Sequence, residues 1–387
     1  MKYAMECQKA APTRNMMSLA SSRLCLDPLK LDIDPYLLNC RNGTVNLLTG
    51  ELKTHNPDDY ITKMADVEYD INAKCPRWEA FIEEIFDKDY ELIGFIRRIS
   101  GYSITGDVSE QAIPICYGGG QNGKSTYITA MSTLLGDYAV TMPPGLLTVK
   151  KHDAHPTEFA DLFKARFAST TEVKTDAKWD EERMKMLSGG DMIKCRKMRE
   201  DFWEFPPSHK MWISVNHKPT TVDNTYSFWR RIKMIPFTVT ILPEKQDKNL
   251  SVVLKSEMSG ILNWLIRGCL EWKENGLGSA KAVDTATDSY RNPQNDIDGF
   301  ITACCVKDVT KQVQAGELYG RYSKWCDEQK VRPLGQVAFG KRMKALGWET
   351  TKISVNFYMG LRLRVDSDDV EDIFSPVESD PTVTVVR

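Results

Sequence analysis

The stretch AIPICYGGGQNGKST, residues 112–126, decides the fold of this chain. Its apolar run from Ile113 to Tyr117 predicts a buried strand, and apolar residues recur at helical spacing after the glycines. The phosphate-loop pattern G-x-x-x-x-G-K-[ST] is matched between them by Gly118, Gly123, Lys124 and Ser125. A strand, a glycine loop and a helix in this order predict a P-loop nucleotide site within an α/β fold.

The loop is predicted to bind the phosphates of ATP. Glycines let backbone N–H groups turn toward phosphate oxygens, and the following helix adds a favourable dipole at its N-terminus. The Lys124 ammonium can reach the β- and γ-phosphates, and the Ser125 hydroxyl can bind Mg²⁺. The plainer alternative is an ordinary glycine turn. The predicted cofactors are ATP and Mg²⁺, and the predicted nucleotide-binding residues are Gly118, Gly119, Gly120, Gln121, Asn122, Gly123, Lys124, Ser125 and Thr126.

Two more strands are predicted to end in polar residues. The run 165–173 ends near Glu172, and Asn216 follows the apolar part of the run 210–219. Open α/β sheets bind ligands at the carboxyl ends of their strands. Glu172 is therefore predicted to hold Mg²⁺ or polarise water, and Asn216 to orient water or sense the γ-phosphate. The alternatives are a surface glutamate and a turn-forming asparagine.

Two adjacent arginines, Arg230 and Arg231, precede a strand-like run that ends in IPF. An arginine that reaches the γ-phosphate of a neighbouring subunit stabilises the charge of the transition state. Solvated arginines, or arginines paired with acids, are the alternative. The predicted catalytic residues are Lys124, Glu172, Asn216, Arg230 and Arg231, and the predicted metal-binding residues are Ser125 and Glu172.

Basic residues form a second feature, in the segment 187–205. Two glycines are predicted to end a helix there, and a hairpin would then carry Lys194, Arg196, Lys197 and Arg199. By the two-residue period of a strand, Lys194 and Arg196 would share one face. Such residues can grip DNA phosphates without reading sequence, whereas a solvated charged hairpin is the alternative.

A C-terminal unit is predicted as two helices followed by strands. Phe339, Met343 and Leu346 suit the buried face of its second helix, which would end at Gly347. The exposed side of this helix is predicted to bind DNA through Lys341, Arg342 and Lys344. The pattern resembles a winged helix-turn-helix, and a protein-interaction module is the alternative.

Composition limits the class of protein. The 387 residues carry a net charge of −2, which argues against passive coating of nucleic acid. The sequence shows neither an apolar run of membrane-spanning length nor a secretory signal, and its ten cysteines form no C-x-x-C pair. These features predict a cytoplasmic protein without membrane partners or a zinc site.

Five regions are expected along the chain. They are an N-terminal α+β accessory region (1–105), a P-loop core (106–245), a helical lid and linker (246–298), a winged-helix-like domain (299–365) and an acidic, disordered tail (366–387). The stretch from 276 to 298 is expected to be an exposed connector.

The ordered motifs resemble the superfamily 3 helicases. They are GGGQNGKST, a strand ending in Glu, LSGGD, a strand ending in NHKP, and FWRR followed by IPF. The likeness spans roughly residues 30–365 and is strongest to the phage and plasmid primase-helicases with a poxvirus-type NTPase core. It implies an AAA+-like core and hexameric rings that move 3′ to 5′ on single-stranded DNA. It also implies that ATP lies between subunits, with Arg230 or Arg231 supplied in trans, and that the basic hairpin lines the pore.

The sequence departs from the family pattern in two ways. Relatives usually carry an acid two residues before the position of Glu172, where this chain has Thr170. Ser125 and a water linked to Glu172 are then the expected Mg²⁺ ligands. The segment before the helicase-like region is also too short for the primase domain that many relatives have. The protein is therefore expected to act alone or to be part of a longer chain.

The expected function is that of an ATP-dependent replicative DNA helicase of a phage, virus or plasmid. Its expected partners are single-stranded or forked DNA, other copies of the chain, and a primase or polymerase. One alternative is an origin-binding or loader protein that uses ATP as a switch without processive unwinding. An NTPase that acts on another polymer is the second alternative.

Overall fold

The computed structural model describes residues 9–24, 26–149, 156–170, 178–216, 219, 221, 225–294, 296–328, 333–348, 350–352 and 356–364. The chain divides into two compact units between Asp288 and Ser289. The accessory region and the P-loop core both fall within the first unit, and the predicted C-terminal domain falls within the second. The finer boundaries remain predictions, and the expected acidic tail lies outside the described residues.

The described part of the N-terminal region contains helices and a small antiparallel sheet. The elements are α1 (Ala10–Arg23), the antiparallel strands β1 (Leu37–Cys40), β2 (Gly43–Asn46) and β3 (Glu51–Lys53), and the helices α2 (Pro76–Ile85) and α3 (Tyr90–Ser103). The dipeptide Asn42-Gly43 favours a hairpin turn. A hairpin is present, but Gly43 already pairs with Cys40, so its turn lies one residue earlier than this dipeptide. At Gly43 a Cβ would lie 2.4 Å from the Lys53 carbonyl oxygen, which explains the glycine there.

Helix α2 has the sequence of an amphipathic helix. Pro76 occupies its first turn, where a missing N–H costs nothing. The apolar residues that recur at helical spacing after it are buried: Trp78, Phe81, Ile82 and Ile85. The carboxylate of Glu257, which lies far along the chain, accepts the N–H groups of Arg77 at 3.0 Å and Trp78 at 2.9 Å. This long-range cap fixes the start of α2.

The P-loop core contains a five-stranded parallel sheet and a separate antiparallel hairpin. The elements are β4 (Ile113–Tyr117), α4 (Lys124–Leu135), β5 (Ala139–Thr141), β6 (Phe167–Thr170), α5 (Glu181–Ser188), β7 (Ile193–Cys195), β8 (Trp203–Phe205), β9 (Lys210–Val215), α6 (Tyr226–Trp229) and β10 (Ile232–Pro236). The sheet has the strand order β10-β4-β9-β6-β5, and the hairpin β7–β8 precedes β9. The prediction of an α/β fold with a parallel sheet, compatible with a P-loop core, is confirmed.

Three helices follow the sheet: α7 (Leu250–Ser256), α8 (Met258–Asn275) and α9 (Lys281–Gln294). The expectation of an exposed connector after Gly276 was wrong, because α9 occupies it and buries Val283, Ala286 and Tyr290. These three residues recur at spacings of three and four, but the surrounding polar residues hide that signal.

A single hydrophobic core joins the accessory region, the sheet and the helices after it. The Trp78 ring lies 5.7 Å from that of Tyr127 on α4 and 5.7 Å from that of Trp264 on α8. Helices α3 and α8 touch through glycines. A Cβ on Gly101 would lie 2.1 Å from the Cys269 backbone nitrogen, and one on Gly268 would lie 2.0 Å from the Arg97 carbonyl oxygen.

The second unit has its own core. Its elements are α10 (Asp296–Cys304), β11 (Cys305–Gln314), α11 (Ala315–Glu328), α12 (Gln336–Ala345), β12 (Thr350–Lys352) and β13 (Asn356–Leu363), with the sheet order β11-β13-β12. Phe339 and Met343 are buried as predicted, but Leu346 is 37% exposed because α12 ends before it. Strand β11 was not predicted. The winged-helix assignment remains a prediction.

Candidate nucleotide and nucleic-acid sites

The glycine loop connects β4 to α4, and its two outer glycines are required by packing. Gly118 has φ +153°, and a Cβ there would lie 2.1 Å from the Phe237 carbonyl oxygen. Gly123 has φ +84°, and its Cβ would lie 2.5 Å from the Ile85 side chain. Around Gly119 and Gly120 nothing lies within 4 Å of an added Cβ. The outer glycines therefore set the path of the loop, while the middle of the loop is open.

The Lys124 ammonium lies over the loop that precedes it. Its Nζ donates to the Gly118 carbonyl at 2.5 Å, and the residue is 4% exposed. Burial lowers the pKa of Lys124, and the nearby Cys116 thiol opposes this shift. A partly desolvated ammonium interacts strongly with an anion, because water screens the attraction less. The side chain of Asn122 stabilises the loop by donating to the Phe237 carbonyl at 3.1 Å.

A cavity of about 520 Å³, called here the phosphate cavity, opens over the loop. It is lined by residues 120–126 together with Ser214 and Asn216. Pairing of Tyr117 with Val215 brings the end of β9 beside the start of the loop. The structure thus places Lys124, Ser125 and Asn216 around one cavity. Ser214 was missed in the sequence, because one small hydroxyl in an otherwise apolar strand gives little signal.

The neighbouring strand β6 ends at Thr170, which pairs with Ile213 of β9. The Thr170 hydroxyl is buried and has no hydrogen-bond partner within the described part of the chain. Glu172 lies outside the described residues. The predicted metal-binding pair, Ser125 and Glu172, therefore remains a prediction.

The two arginines lie at the amino ends of the parallel strands, whereas the phosphate cavity lies at their carboxyl ends. The Arg231 carbonyl accepts the Ile113 N–H at 2.7 Å, which places both arginines at the amino end of β4. Arg230 is exposed, and its guanidinium donates to the Gln111 side chain. Arg231 is 8% exposed and donates to the Ser227 carbonyl, and burial lowers its pKa. The structure therefore does not bring either arginine to the phosphate cavity of its own chain.

The predicted basic hairpin is present as β7 and β8. Lys194 lies on β7 and pairs with Glu204 of β8. The other three basic residues lie in the connection, where Lys197 and Arg199 are exposed and Arg196 is half-buried. Arg199 has φ +66°, a left-handed conformation typical of a tight turn.

Phe202 on this hairpin was missed by the sequence analysis. Its ring is near the Lys194 Nζ, at 5.5 Å, and the Arg196 guanidinium, at 4.9 Å. The expectation that Lys194 and Arg196 share a face is therefore confirmed. Phe202 is 50% exposed, whereas the adjacent Trp203 packs against Phe163 at 4.8 Å. Its position among charged residues was the signal that it would face solvent.

The basic residues of α12 lie away from its buried face. Lys341 and Lys344 are exposed and Arg342 is half-buried, while Phe339 and Met343 face the core. Their predicted contact with DNA remains a prediction. Among the helices that the structure describes, none is both long and apolar enough to cross a membrane.

Three family models match successive parts of the chain. A "D5 N terminal like" model matches residues 1–87, a "Family of unknown function (DUF5906)" matches 116–231, and a "Poxvirus D5 protein-like" model matches 293–375. The matches run in chain order across the accessory region, the P-loop core and the C-terminal unit.

Viral proteins are similar over longer stretches. "Putative helicase L207/L206" of Acanthamoeba polyphaga mimivirus is 26% identical over 76% of this chain and 33% of its own length. "Putative helicase 184R" of Invertebrate iridescent virus 6 is 27% identical over 64% of this chain and 27% of its own length. The chain thus spans about a third or less of these curated relatives. The solved C-terminal region of NrS-1 aligns with a TM-score of 0.47 at 9% identity, covering 76% of this chain and 79% of that one.

Proposed function

We propose that this chain, which belongs to the D5-like superfamily 3 helicases, is an ATP-driven viral DNA helicase that acts as a ring. The observation that carries the proposal is the phosphate cavity, where the buried Lys124 and the exposed Asn216 both lie beyond the ends of adjacent strands. A glycine loop at a helix N-terminus is suited to bind a triphosphate.

The residues around this cavity suit hydrolysis. The Lys124 ammonium would exchange the Gly118 carbonyl for phosphate oxygens, where it neutralises charge that grows in the transition state. The Asn216 amide would orient the attacking water. The Ser125 hydroxyl is the described group that would hold Mg²⁺, which would neutralise charge on the phosphates when bound. Glu172 is proposed as the acid that polarises water.

The position of the arginines supports the proposed assembly into a ring. Arg230 lies at the sheet edge opposite its own phosphate cavity, so it would complete the cavity of a neighbouring subunit. Arg230 suits this role better than Arg231, because it is exposed while Arg231 is buried and bonded to the Ser227 carbonyl. Head-to-tail contacts of this kind close into rings. An AAA+-like core and six subunits are part of the proposal.

The hairpin is proposed to grip single-stranded DNA. Lys194, Arg196, Lys197 and Arg199 would contact phosphates, while Phe202 offers a ring on which an unpaired base can stack. Movement of this hairpin with the nucleotide state would draw the strand through the ring. Lys341, Arg342 and Lys344 would add contacts to duplex DNA ahead of it, and a primase or polymerase would act beside it.

Strand displacement on forked DNA tests the proposal. One fork carries only a 3′ tail and the other only a 5′ tail, and each is incubated with ATP and either the wild-type chain or Lys124→Ala. We expect unwinding of the 3′-tailed fork alone and none with the variant. Nucleotide-dependent DNA binding without displacement on either fork would instead indicate an ATP-switched loader. Equal displacement by Lys124→Ala would remove the P-loop assignment.

A further inference from the structure

The exposed guanidinium of Arg230 is held by the side chain of a neighbouring residue. It donates to the side-chain oxygen of Gln111, a half-buried residue in the loop before β4. Within the part of the chain that the structure describes, no carboxylate lies in ion-pairing contact with Arg230. The Gln111 amide therefore fixes the direction in which this guanidinium leaves its own chain.

The register of the sheet brings these two residues together. In the parallel pair of β4 and β10, Ile113 lies opposite Ile232. Gln111 and Arg230 each lie two residues before these partners, so they are neighbours across the same two segments. The Ile113 N–H donates to the Arg231 carbonyl at 2.7 Å, which extends the pairing toward them. The contact thus depends on the backbone of the sheet and not on two surface side chains alone.

The loop that carries Gln111 is fixed on both sides of this residue. The Gln111 N–H donates to the Val108 carbonyl at 3.0 Å. The carboxylate of the preceding residue, Glu110, accepts the indole N–H of Trp272 on α8 at 2.8 Å, and the following residue, Ala112, is buried. A side chain that starts from a fixed backbone has less freedom to lose when it forms a hydrogen bond. The loop is therefore a rigid support for the amide.

Gln111 also has an unfavourable backbone conformation. Its φ is +52°, in the left-handed region that glycine adopts without strain and most other residues avoid. Strain of this kind persists where the surrounding structure maintains it, and it is concentrated at functional sites. A glycine would relieve the backbone here but would leave Arg230 without the amide oxygen. The position therefore separates what the side chain does from what the backbone requires.

We propose that Gln111 is a positioning residue, which orients Arg230 toward the phosphate cavity of the neighbouring subunit. The inference rests on the proposed function, because it requires Arg230 to act in trans. The amide oxygen is neutral, so it directs the guanidinium without cancelling its charge. A guanidinium has several N–H donors, and the bond to Gln111 leaves others for phosphate oxygens. Arg230 then meets the neighbouring cavity already oriented, which lowers the entropic cost of reaching the transition state.

Two glycine substitutions provide a matched test on the full chain. Gln111→Gly relieves a left-handed backbone and removes the amide. Lys88→Gly is the control, because Lys88 is exposed and has φ +56° in the turn between α2 and α3. Steady-state ATP hydrolysis, the ATP Kd and the melting temperature would be measured for the wild type and both variants. The same measurements on Arg230→Ala, with and without Gln111→Gly, complete the set.

We expect Gln111→Gly to lower kcat about three- to tenfold, as loss of one orienting hydrogen bond implies, with the ATP Kd unchanged. Its melting temperature should change little, because glycine removes strain from the fold but gives the unfolded chain more freedom. Lys88→Gly should leave kcat unchanged. In the Arg230→Ala background Gln111→Gly should have no further effect on kcat, since the amide then has no guanidinium to orient.

Other outcomes would overturn the inference. Unchanged turnover in Gln111→Gly, or an equal further loss in the Arg230→Ala background, would show that Gln111 does not act through Arg230. A loss of the same size in Lys88→Gly would assign the effect to backbone freedom. Full turnover in Arg230→Ala would instead refute the proposed role of the arginine itself, and the inference with it. Should Gln111→Gly fail to fold, Gln111→Asn, which tolerates the left-handed backbone but has a shorter side chain, takes its place with the same expectations.

Discussion

Mixing two inactive variants tests whether the arginine acts between subunits. Arg230→Ala keeps an intact phosphate cavity, and Lys124→Ala keeps an intact Arg230. The five residues of β4 separate Arg230 from the loop of its own chain, a span of roughly 13 Å at 3.3 Å per residue. The Arg230 side chain would also have to pass the end of the sheet. This distance excludes its action on the phosphate cavity of its own chain.

The size of the effect follows from the ring. Arg230→Ala alone should lose about a thousandfold or more of its ATP turnover, since an arginine finger contributes that much. Lys124→Ala alone should also lose turnover, because its phosphate cavity lacks the ammonium. In an equal mixture, half of the subunits keep the cavity and half of their neighbours keep Arg230. About a quarter of the interfaces in head-to-tail rings then carry both groups. Turnover should recover to about that fraction of the wild-type rate if the sites act independently.

The measurement is steady-state ATP hydrolysis after the variants have been mixed and allowed to exchange subunits. Arg231→Ala is the matched comparison, because Arg231 is buried and bonded to the Ser227 carbonyl. Loss of the Arg231 guanidinium should lower the melting temperature. Mixing Arg231→Ala with Lys124→Ala should not restore ATP turnover as the Arg230→Ala mixture does. A mixture no more active than the average of its two components would refute the trans geometry.

Three further predictions concern the cavity, the hairpin and the helix contact. Asn216→Ala should lower kcat about 100-fold with the ATP Kd unchanged, as for a donor that acts in the transition state; a weaker Kd at constant kcat would contradict its role. Phe202→Ala should weaken single-stranded DNA binding about tenfold without changing the salt dependence, while Phe202→Trp restores it and Met198→Ala, also on the hairpin, has no effect. Equal losses in both alanine variants would exclude stacking. Gly101→Ala should cost about 3 kcal/mol in the free energy of unfolding, because its Cβ would meet backbone, whereas Gly94→Ala on the same helix should be neutral or stabilising; similar melting temperatures would contradict the close contact.

Local patterns in the sequence predicted the parts of the fold that depend on neighbouring residues. The strand and helix around the loop, the apolar face of α2 and the basic hairpin all have a clear period of their own. The helix α9 was missed because its few buried residues are separated by polar ones. The cap of α2 by Glu257 could not be predicted, since the two lie far apart in sequence and meet only after folding.

The candidate site was only partly predictable for the same reason. Lys124 and Asn216 follow apolar strands, so the carboxyl ends of parallel strands brought them together as expected. The choice between Arg230 and Arg231 required burial, which adjacent identical residues cannot reveal.

The contact of α3 and α8 through Gly101 and Gly268 restricts how the molecule can move. Backbone lies directly on backbone there, so neither helix can slide or rotate without an immediate clash. The two helices are therefore expected to move as one rigid body in the proposed catalytic cycle. The motion proposed to draw DNA would then belong to other parts of the chain, above all the hairpin that carries Phe202.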